Sequence, residues 1–385
     1  MSAYRILLLA AEPGIALQVL FCAEAMGAIV HVAATARGAH LRWARACRSF
    51  SIFDIEDSRS DLGSRARALD TLARDFGADI IVPGDLSSTR LLIELKSALT
   101  TPTIPLPDRR LFNTLDNKFA FAELLTDLGC PTPNTVYLGC PSQISIAFLE
   151  REISFPLVIK PTDQGNSNGV VICREADDVV NRITENPLYP YQSLIAQEYI
   201  PGFDIDLSVT AVAGRITASG VQRKIDKTIH FYDAPDFVQA GEKIIAATGY
   251  SGPAHFDGRH DERDGTIKFI ECNPRFWGSI TASLHCGVNF VAEAVNTAFA
   301  PPPEHAAQVA PNLYLPPTPM MMALLRTPGK RELWSGPNRA GLAQALRNIV
   351  PYIAEDWRAV RRQAIERRHL SGTQAPASAL RLVKG

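Results

Sequence analysis

The segment Gly258–Ser279, GRHDERDGTIKFIECNPRFWGS, constrains the fold more than any other stretch of the chain. Arg263-Asp264-Gly265 is a strong turn signal between two strand patterns, Ala254 to Asp257 and Thr266 to Asn273, and predicts an antiparallel hairpin. Side chains alternate along a strand, so Glu271 and Asn273 are expected on one face with Ile267 and Phe269 below them. That face runs from apolar to polar as the strand ends, as when a site is mounted on a core. Asp257 falls across the hairpin near the same end. Two carboxylates and an amide oxygen, converging without Cys or His, are hard oxygen ligands suited to Mg²⁺. Such an ion bridges nucleotide phosphates and neutralises charge in phosphoryl transfer. Arg275, just beyond, can fork onto a phosphate or carboxylate oxygen. The bland alternative is a hairpin with solvent-facing acids.

Two other segments carry polar groups out of strand patterns. In Phe155-Pro-Leu-Val-Ile-Lys160, the lysine ends an apolar strand and must project somewhere polar, for which a phosphate is a natural partner. The loop from Asp163 to Gly169 is small and glycine-spaced, and its backbone N–H groups can close over phosphate oxygens. A strand follows at once, so the unit reads as a hairpin lid and not as a phosphate loop feeding a helix. Taken alone, such loops are usually only turns. The stretch Ala196-Gln-Glu-Tyr-Ile-Pro-Gly-Phe-Asp204 joins two strand patterns through a Pro-Gly turn. It suggests a hinge whose backbone can pair with an adenine edge, with Asp204 placed to accept from ribose hydroxyls; an ordinary loop between lobes is the alternative.

Towards the N-terminus the texture differs. Arg5 to Ala10, Ile29 to Ala34 and Asp79 to Val82 read as strands, and Ile15 to Met26, Ser64 to Phe76 and Thr89 to Leu99 as helices. Alternation with short connections predicts a parallel α/β sheet. MSAYRILLLA reads as a first buried strand and not a leader, since no small-residue cleavage site ends its apolar run. The turn Ala11-Glu12-Pro13-Gly14 lacks the glycine-rich dinucleotide fingerprint, so NAD is not assigned. A Pro-rich stretch at 101–107 marks a boundary, followed by a helix opened at Asp108 and a second from Phe119 to Leu128. From about 135 to 300 the pattern becomes α+β. Further Pro-rich linkers then lead to a basic amphipathic helix, Leu342 to Arg368, interrupted by Pro351.

Bulk properties exclude several classes. With 46% hydrophobic and 21% charged residues and a net charge of -1, nothing argues for nucleic acid or an anionic membrane as partner. No stretch reaches the apolar length needed to span a bilayer. The seven cysteines form no CxxC pair or metal-ligand cluster, and a reducing cytoplasm is the expected compartment.

The order Lys118, Lys160 with its lid, EYIPG with Asp204, Asp257, then ECNPRF resembles the ATP-grasp superfamily over roughly residues 1–300. The resemblance implies an N-terminal parallel α/β (pre-ATP-grasp) domain at 1–108. A two-lobed ATP-grasp domain at 109–300 would follow, with its lid lobe at about 119–196. Residues 301–385 would form a Pro-rich linker and helical extension. It further implies that Lys118 and Lys160 hold ATP phosphates under a closing loop of Gly165, Ser167 and Gly169. Glu198, Tyr199 and Ile200 would flank adenine at the hinge, and Asp204 would hold ribose. Asp257, Glu271 and Asn273 would ligate Mg²⁺ or Mn²⁺, and Arg275 would steady the transferred phosphoryl group or the acyl-phosphate. Two positions depart from the pattern. His255 stands where D-alanine–D-alanine ligases carry an arginine that steadies the tetrahedral intermediate, and Asp204 stands where many members carry Glu. NPRFWGS, with Trp277, is more similar to the carbamoyl-phosphate-synthase-like and amino-acid-ligase branches.

The implied activity is a carboxylate–amine ligase making an amide through an acyl-phosphate, with small-molecule acid and amine (amino acid) substrates. Alternatives are a bicarbonate-phosphorylating carboxylase or carbamoyl-phosphate-type enzyme, and a nucleotide-binding regulator without turnover. Arg223, with Lys224 and Lys227 between a strand ending near Ser219 and a loop at 226–238, is read as an anchor for a substrate carboxylate or as part of a solvated basic loop. His255 is read as a general base or as a structural histidine. Ser87-Ser88-Thr89 suits either an anion or helix capping. In the C-terminal helix, Leu346, Ile349, Ile353 and Trp357 form a stripe expected to pack on the protein or between copies in a homo-oligomer, beside Arg358, Arg361, Arg362, Arg367 and Arg368.

Overall fold

The structure, a computed structural model, describes residues 3–57, 60–165, 167–327 and 329–371, without the side chains of 359 and 362–371. The side chains of Arg362, Arg367 and Arg368 therefore lie outside the described residues, as does Asn166 of the lid loop.

An N-terminal α/β unit comes first: β1 (Arg5–Ala10), α1 (Pro13–Ala25), β2 (Ile29–Ala34), β3 (Cys47–Ile52), α2 (Leu62–Phe76), β4 (Ile80–Pro83) and α3 (Leu86–Leu95). Its sheet runs in the order β3-β2-β1-β4, and every pairing is parallel. The near-continuous apolar runs of β1 and β2 are buried on both faces, as a parallel sheet between helices requires. Ser88 and Thr89 cap α3. Ser88 forms a reciprocal box with Asp85, whose carboxylate also takes the amides of Ala11 (2.6 Å) and Glu12 (2.8 Å), so these hydroxyls are committed to the backbone.

Next come α4 (Arg109–Asp116) and α5 (Lys118–Asp127), the latter capped by Asn117 accepting from the amides of Phe119 and Ala120. A small lobe follows, built from β5 (Thr135–Gly139), α6 (Ile146–Glu152), β6 (Leu157–Pro161), β7 (Val171–Cys173), the single turn α7 (Ala176–Val179) and β8 (Leu194–Glu198). Its antiparallel sheet is ordered β5-β8-β6-β7 over a core of its own, including Leu149, Leu157, Ile159 and Leu194.

The large sheet comprises β9 (Gly202–Val212), β10 (Arg215–Ile225), β11 (Thr228–Tyr232), β12 (Gly252–Asp261), β13 (Ile267–Asn273), β14 (Ala307–Gln308) and β15 (Asn312–Tyr314). The order is β13-β12-β9-β10-β11-β15, with β14 alongside β10. Helix α8 (Pro235–Thr248) covers one face, and Phe237, Ile244 and Ile245 share its core with Phe256 and Phe269. Arg223 and Lys224 belong to β10 itself: the strand expected to end near Ser219 continues to Ile225 because it pairs with β9 on one side and β11 on the other.

Helices α9 (Ile280–His285) and α10 (Phe290–Phe299) join the apolar core of the N-terminal unit. Last come α11 (Pro317–Arg326), α12 (Gly336–Arg347) and α13 (Ile349–Ser371). The single C-terminal helix of the sequence reading is thus two helices, broken at Asn348 and not at Pro351. A proline in the first turn of α13 forfeits no helical hydrogen bond, whereas the Asn348 side chain spends itself on Glu24 (2.8 Å) and on the Arg45 amide (2.8 Å). The extension packs on the N-terminal unit through Gln344, Asn348 and Tyr352, while Leu346, Ile349, Ile353 and Trp357 stay exposed. No helix among the described residues is long and apolar enough to cross a membrane.

Candidate functional site

The β12–β13 hairpin forms as the turn signal requires, with Asp257 opposite Glu271. One element of the expected pattern fails. Asp257 pairs with Glu271 and Gly258 with Phe269, so Ile270 is an extra residue and the alternation slips at that point. Phe269 therefore does not lie beneath Glu271 on one face; it is fully buried in the core with Phe256 and Phe237, while Glu271 and Asn273 face a cavity. Gly258 permits this bulge: a Cβ there would lie 2.8 Å from the Phe237 ring and 2.9 Å from the Ile205 carbonyl.

The cavity, about 760 Å³, lies between the small lobe and the large sheet. Among its walls are Lys118, Lys160, Ser167, Glu198, Tyr199, Ile200, Asp204, His255, Asp257, Glu271, Asn273 and Arg275, so segments far apart in the sequence converge. Lys118 and Lys160 are only 7% and 5% exposed. The Lys118 ammonium donates to the Gln164 carbonyl (2.6 Å) and sits 3.2 Å from the Glu271 carboxylate. Lys160 donates to the carbonyl of the bulged Ile270 at 3.3 Å. Burial pushes the Lys160 ammonium down to about 8, with Lys118 adding to that and Glu271 and Asp257 opposing it. Two buried cations share the Glu271 carboxylate, and only Lys118 is within ion-pair distance of it, which leaves the pocket receptive to phosphate.

The lid loop is packed closely at its Gly169 end and held at the other by the Lys118 bond to the Gln164 carbonyl. Gly169 has φ +74°, its carbonyl accepts from the Tyr189 hydroxyl (2.7 Å), and any Cβ would meet the Tyr191 ring at 2.5 Å. Gly165 has open space around it. At the hinge, Glu198 is engaged by Arg263 at 2.6 Å, and Asp204 by Arg259 at 2.5 Å. Arg259 also binds the carbonyls of Ile200 (2.6 Å) and Gly202 (2.7 Å), which fixes the turn from lobe to sheet.

Asn273 bridges the carboxylates, its Nδ2 lying 3.5 Å from Asp257 and 3.4 Å from Glu271, while its Oδ1 accepts from Arg275 at 2.9 Å. Burial, then the Glu271 and Asp206 charges, push the Asp257 carboxyl well above its ordinary range. Glu271 is held down instead, against burial, by Lys118 and Lys160. Oxygen donors crowded so that the Asp257 carboxyl is pushed up by its neighbours' charge fit a hard divalent cation, which would remove that repulsion.

His255 is brought to the same place. Its Nδ1 meets the Ser208 hydroxyl at 2.9 Å, its Nε2 lies 3.3 Å from Asp257 and 3.8 Å from Asp206, and its ring stacks on Trp277. Burial, reinforced by Arg275, pushes the imidazole down to about 3, so the contact with Asp257 is not a charged histidine–carboxylate pair. The sequence reading missed Asp206, although Asp204, Asp206 and Ser208 alternate along β9 and share the face of the site. Asp206, His255 and Asp257 offer ligand atoms within 4.8 Å of one another. Gln222, bonded to Asp206 (3.3 Å) and Ser279 (2.8 Å), was missed as well. Arg223 is not brought in. It is one residue from Gln222 and so faces away, its guanidinium 3.6 Å above the Phe203 ring; Lys224 lines the cavity in its place.

Comparison with known proteins is consistent with this geometry. Residues 191–314 match the family described as ATP-grasp in the biosynthetic pathway with Ter operon. A D-alanine–D-alanine ligase from Fervidobacterium nodosum is 30% identical over 118 residues, covering 31% of this chain and 35% of that one. One from Coprothermobacter proteolyticus is 26% identical over 201 residues, covering 46% and 65%. A D-aspartate ligase from Enterococcus faecium is 27% identical over 200 residues, covering 44% and 47%. The chain thus spans between about a third and two-thirds of the length of these relatives. Among solved structures, an N5-carboxyaminoimidazole ribonucleotide synthetase in complex with ADP aligns with TM-score 0.64 and 14% identity over 85% of each chain. An L-amino acid ligase from Bacillus licheniformis aligns with TM-score 0.58 and 16% identity, covering 81% of this chain and 75% of that one. Residues 191–314 thus carry an ATP-grasp family match, the relatives that align are ligases, and the lobed fold is the one shared with these solved structures.

Proposed function

We propose that this protein is an ATP-dependent carboxylate–amine ligase that activates an acid as its acyl-phosphate and passes the acyl group to an amine, releasing ADP and phosphate. The observation that carries the reading is the facing of Lys118 and Lys160 against Asp257, Glu271 and Asn273 across one cavity. Cations on one wall suit phosphates, and oxygen donors on the other suit the magnesium that accompanies them. The curated relatives are D-alanine–D-alanine and D-aspartate ligases, which supports a C–N bond-forming reaction.

In this reading Glu198, Tyr199 and Ile200 border the adenine and Asp204 the ribose. Lys118 and Lys160 hold phosphate oxygens, and the loop from Gly165 to Gly169 closes over them and excludes water from the activated acid. Asp257, Glu271 and Asn273 would hold magnesium, which when bound screens the phosphate charge as it is transferred. Arg275, with its Nε buried and unpartnered among the described residues, steadies the oxygens of the moving phosphoryl group. His255, neutral and stacked on Trp277 beside Asp206 and Asp257, fits the structural alternative, because an imidazole pushed down to about 3 is too weak a base to deprotonate an ammonium; the amine attacks as its free base.

The test is ADP and phosphate release with ATP, Mg²⁺ and pooled acids and amines, with mass spectrometry of the product. Release that needs both an acid and an amine supports the ligase. Release with bicarbonate and no organic acid would transfer the reading to a carboxylase or carbamoyl-phosphate-type enzyme. Nucleotide binding without release for any pair would leave a regulator.

A further inference from the structure

A second cavity, about 360 Å³, opens from the first where Lys224, Gly278 and Ser279 line both. Its remaining wall is assembled from distant parts of the chain: Gln18 and Phe21 of α1, Thr281 and His285 of α9, and Gly341, Gln344, Ala345 and Tyr352 of the C-terminal helices. The polar groups inside are largely paired with one another. Thr281 donates to Gln18 at 2.6 Å, Gln344 to the Phe21 carbonyl at 2.9 Å, and Tyr352 bonds Thr318 at 3.1 Å. Among the described residues no Asp or Glu lines it, so nothing there would receive an ammonium group. His285 stacks on Tyr314, and burial pushes its imidazole down to about 4, which leaves the interior without charge. Lys224, at the mouth, makes no ion pair among the described residues.

We propose that this second cavity binds the body of the acid substrate, an uncharged and partly apolar organic group, with the carboxylate at the Lys224 end facing the nucleotide cavity. The assignment rests on the ligase reading above and adds the substrate class. A neutral pocket with satisfied polar groups favours apolar surface and penalises any buried charge that finds no partner. Lys224, the one lysine or arginine lining this cavity among the described residues, stands where the reacting carboxylate must cross between the cavities. The C-terminal extension then has a definite role: Ala345 and Tyr352 set the size of the acid that fits.

The experiment uses the full chain, with thermal midpoints read first with a non-hydrolysable ATP analogue and Mg²⁺ and then with added acid, and with ADP release from ATP measured in parallel in the presence of the amine pool. Hexanoate and 3-phenylpropionate are the neutral-bodied acids; phenylalanine and phenylsuccinate carry an extra charge. The expected result is stabilisation and acid-dependent ADP release with the first pair only. Ala345→Leu should raise the KM for those acids about tenfold or more, as intruding methyl groups do in a fitted pocket, without moving the KM for ATP. Tyr352→Ala, which removes bulk, should accept longer alkanoates. Equal response to charged-bodied acids, or acid KM values unmoved in both variants, would overturn the proposal. So would absence of any acid response while the nucleotide analogue still binds. Failure of the analogue itself to bind would instead remove the ligase reading on which the pocket rests.

Discussion

Lys160 of the small lobe reaches across to the main-chain carbonyl of Ile270 at 3.3 Å, the one residue of β13 that the hairpin register leaves over. The bulge that turns Glu271 towards the cavity thus also supplies the acceptor that orients a cavity-lining lysine. Lid and acid-bearing strand are tied at one point.

Replacing Lys160 with Met is expected to lower ADP formation about 10²-fold or more, as loss of a preorganised charge does, with little loss of stability because a buried charge becomes apolar. Denaturant midpoints beside turnover check both. With a folded-state value of about 8, the Lys160 charge is present below that pH and lost above it. ATP analogue affinity should therefore weaken between pH 7 and 9 in the wild type and stay flatter in Lys160→Met.

Glu271→Gln should leave the fold intact and abolish turnover, a loss of about 10²-fold or more. The amide keeps the shape but replaces an anionic oxygen proposed for magnesium with a weaker neutral one, and removes the charge facing Lys118. Near-normal turnover at saturating Mg²⁺ would refute the metal assignment.

Gly258→Ala tests the bulge. The added methyl meets the Phe237 ring and the Ile205 carbonyl at under 3 Å, so overpacking should cost about 1–3 kcal/mol. Activity should fall further than stability explains at a temperature where the variant is still folded, because Asp257 is the next residue.

Asp261 organises the other end of the hairpin, accepting from Arg263 Nε (2.8 Å) and Lys268 (2.8 Å). Asp261→Asn should cost about 1.5–3 kcal/mol, the range for hydrogen bonds to charged groups. The Arg263 bonds, with Lys268, hold the Asp261 carboxyl well below its usual range. Its contribution is therefore complete above the ordinary carboxylate pKa and fades only as pH falls towards the folded value. Chemical denaturation at pH 7 and in strong acid should show the gap between wild type and variant narrowing.

The local signals were strong where chemistry and period coincide. The Asp-Gly turn, the apolar strand ending in Glu271 and Asn273, the lysine closing the Leu157–Pro161 strand and the alternating strands and helices of the first domain are all readable from neighbours in sequence. Each depends on backbone preference or side-chain alternation acting over a few residues. Tertiary structure decided what depends on pairing partners. Arg223 and Lys224 differ by one residue, and only the register of β10 against β9 shows that Lys224 faces the site and Arg223 the Phe203 ring. Phe269 left the face of Glu271 because packing against Phe237 and Phe256 outweighs strict alternation and forces the bulge. Asp206 and His255 met Asp257 through the side-by-side registry of β9, β12 and β13. The C-terminal helices closed a cavity from more than 300 residues away, by hydrogen bonds such as Gln344 to the Phe21 carbonyl, |i−j| 323. Sequence alone specified which charged and polar groups end these strands; long-range pairing and packing, which no local pattern encodes, determined which of them meet in the cavity.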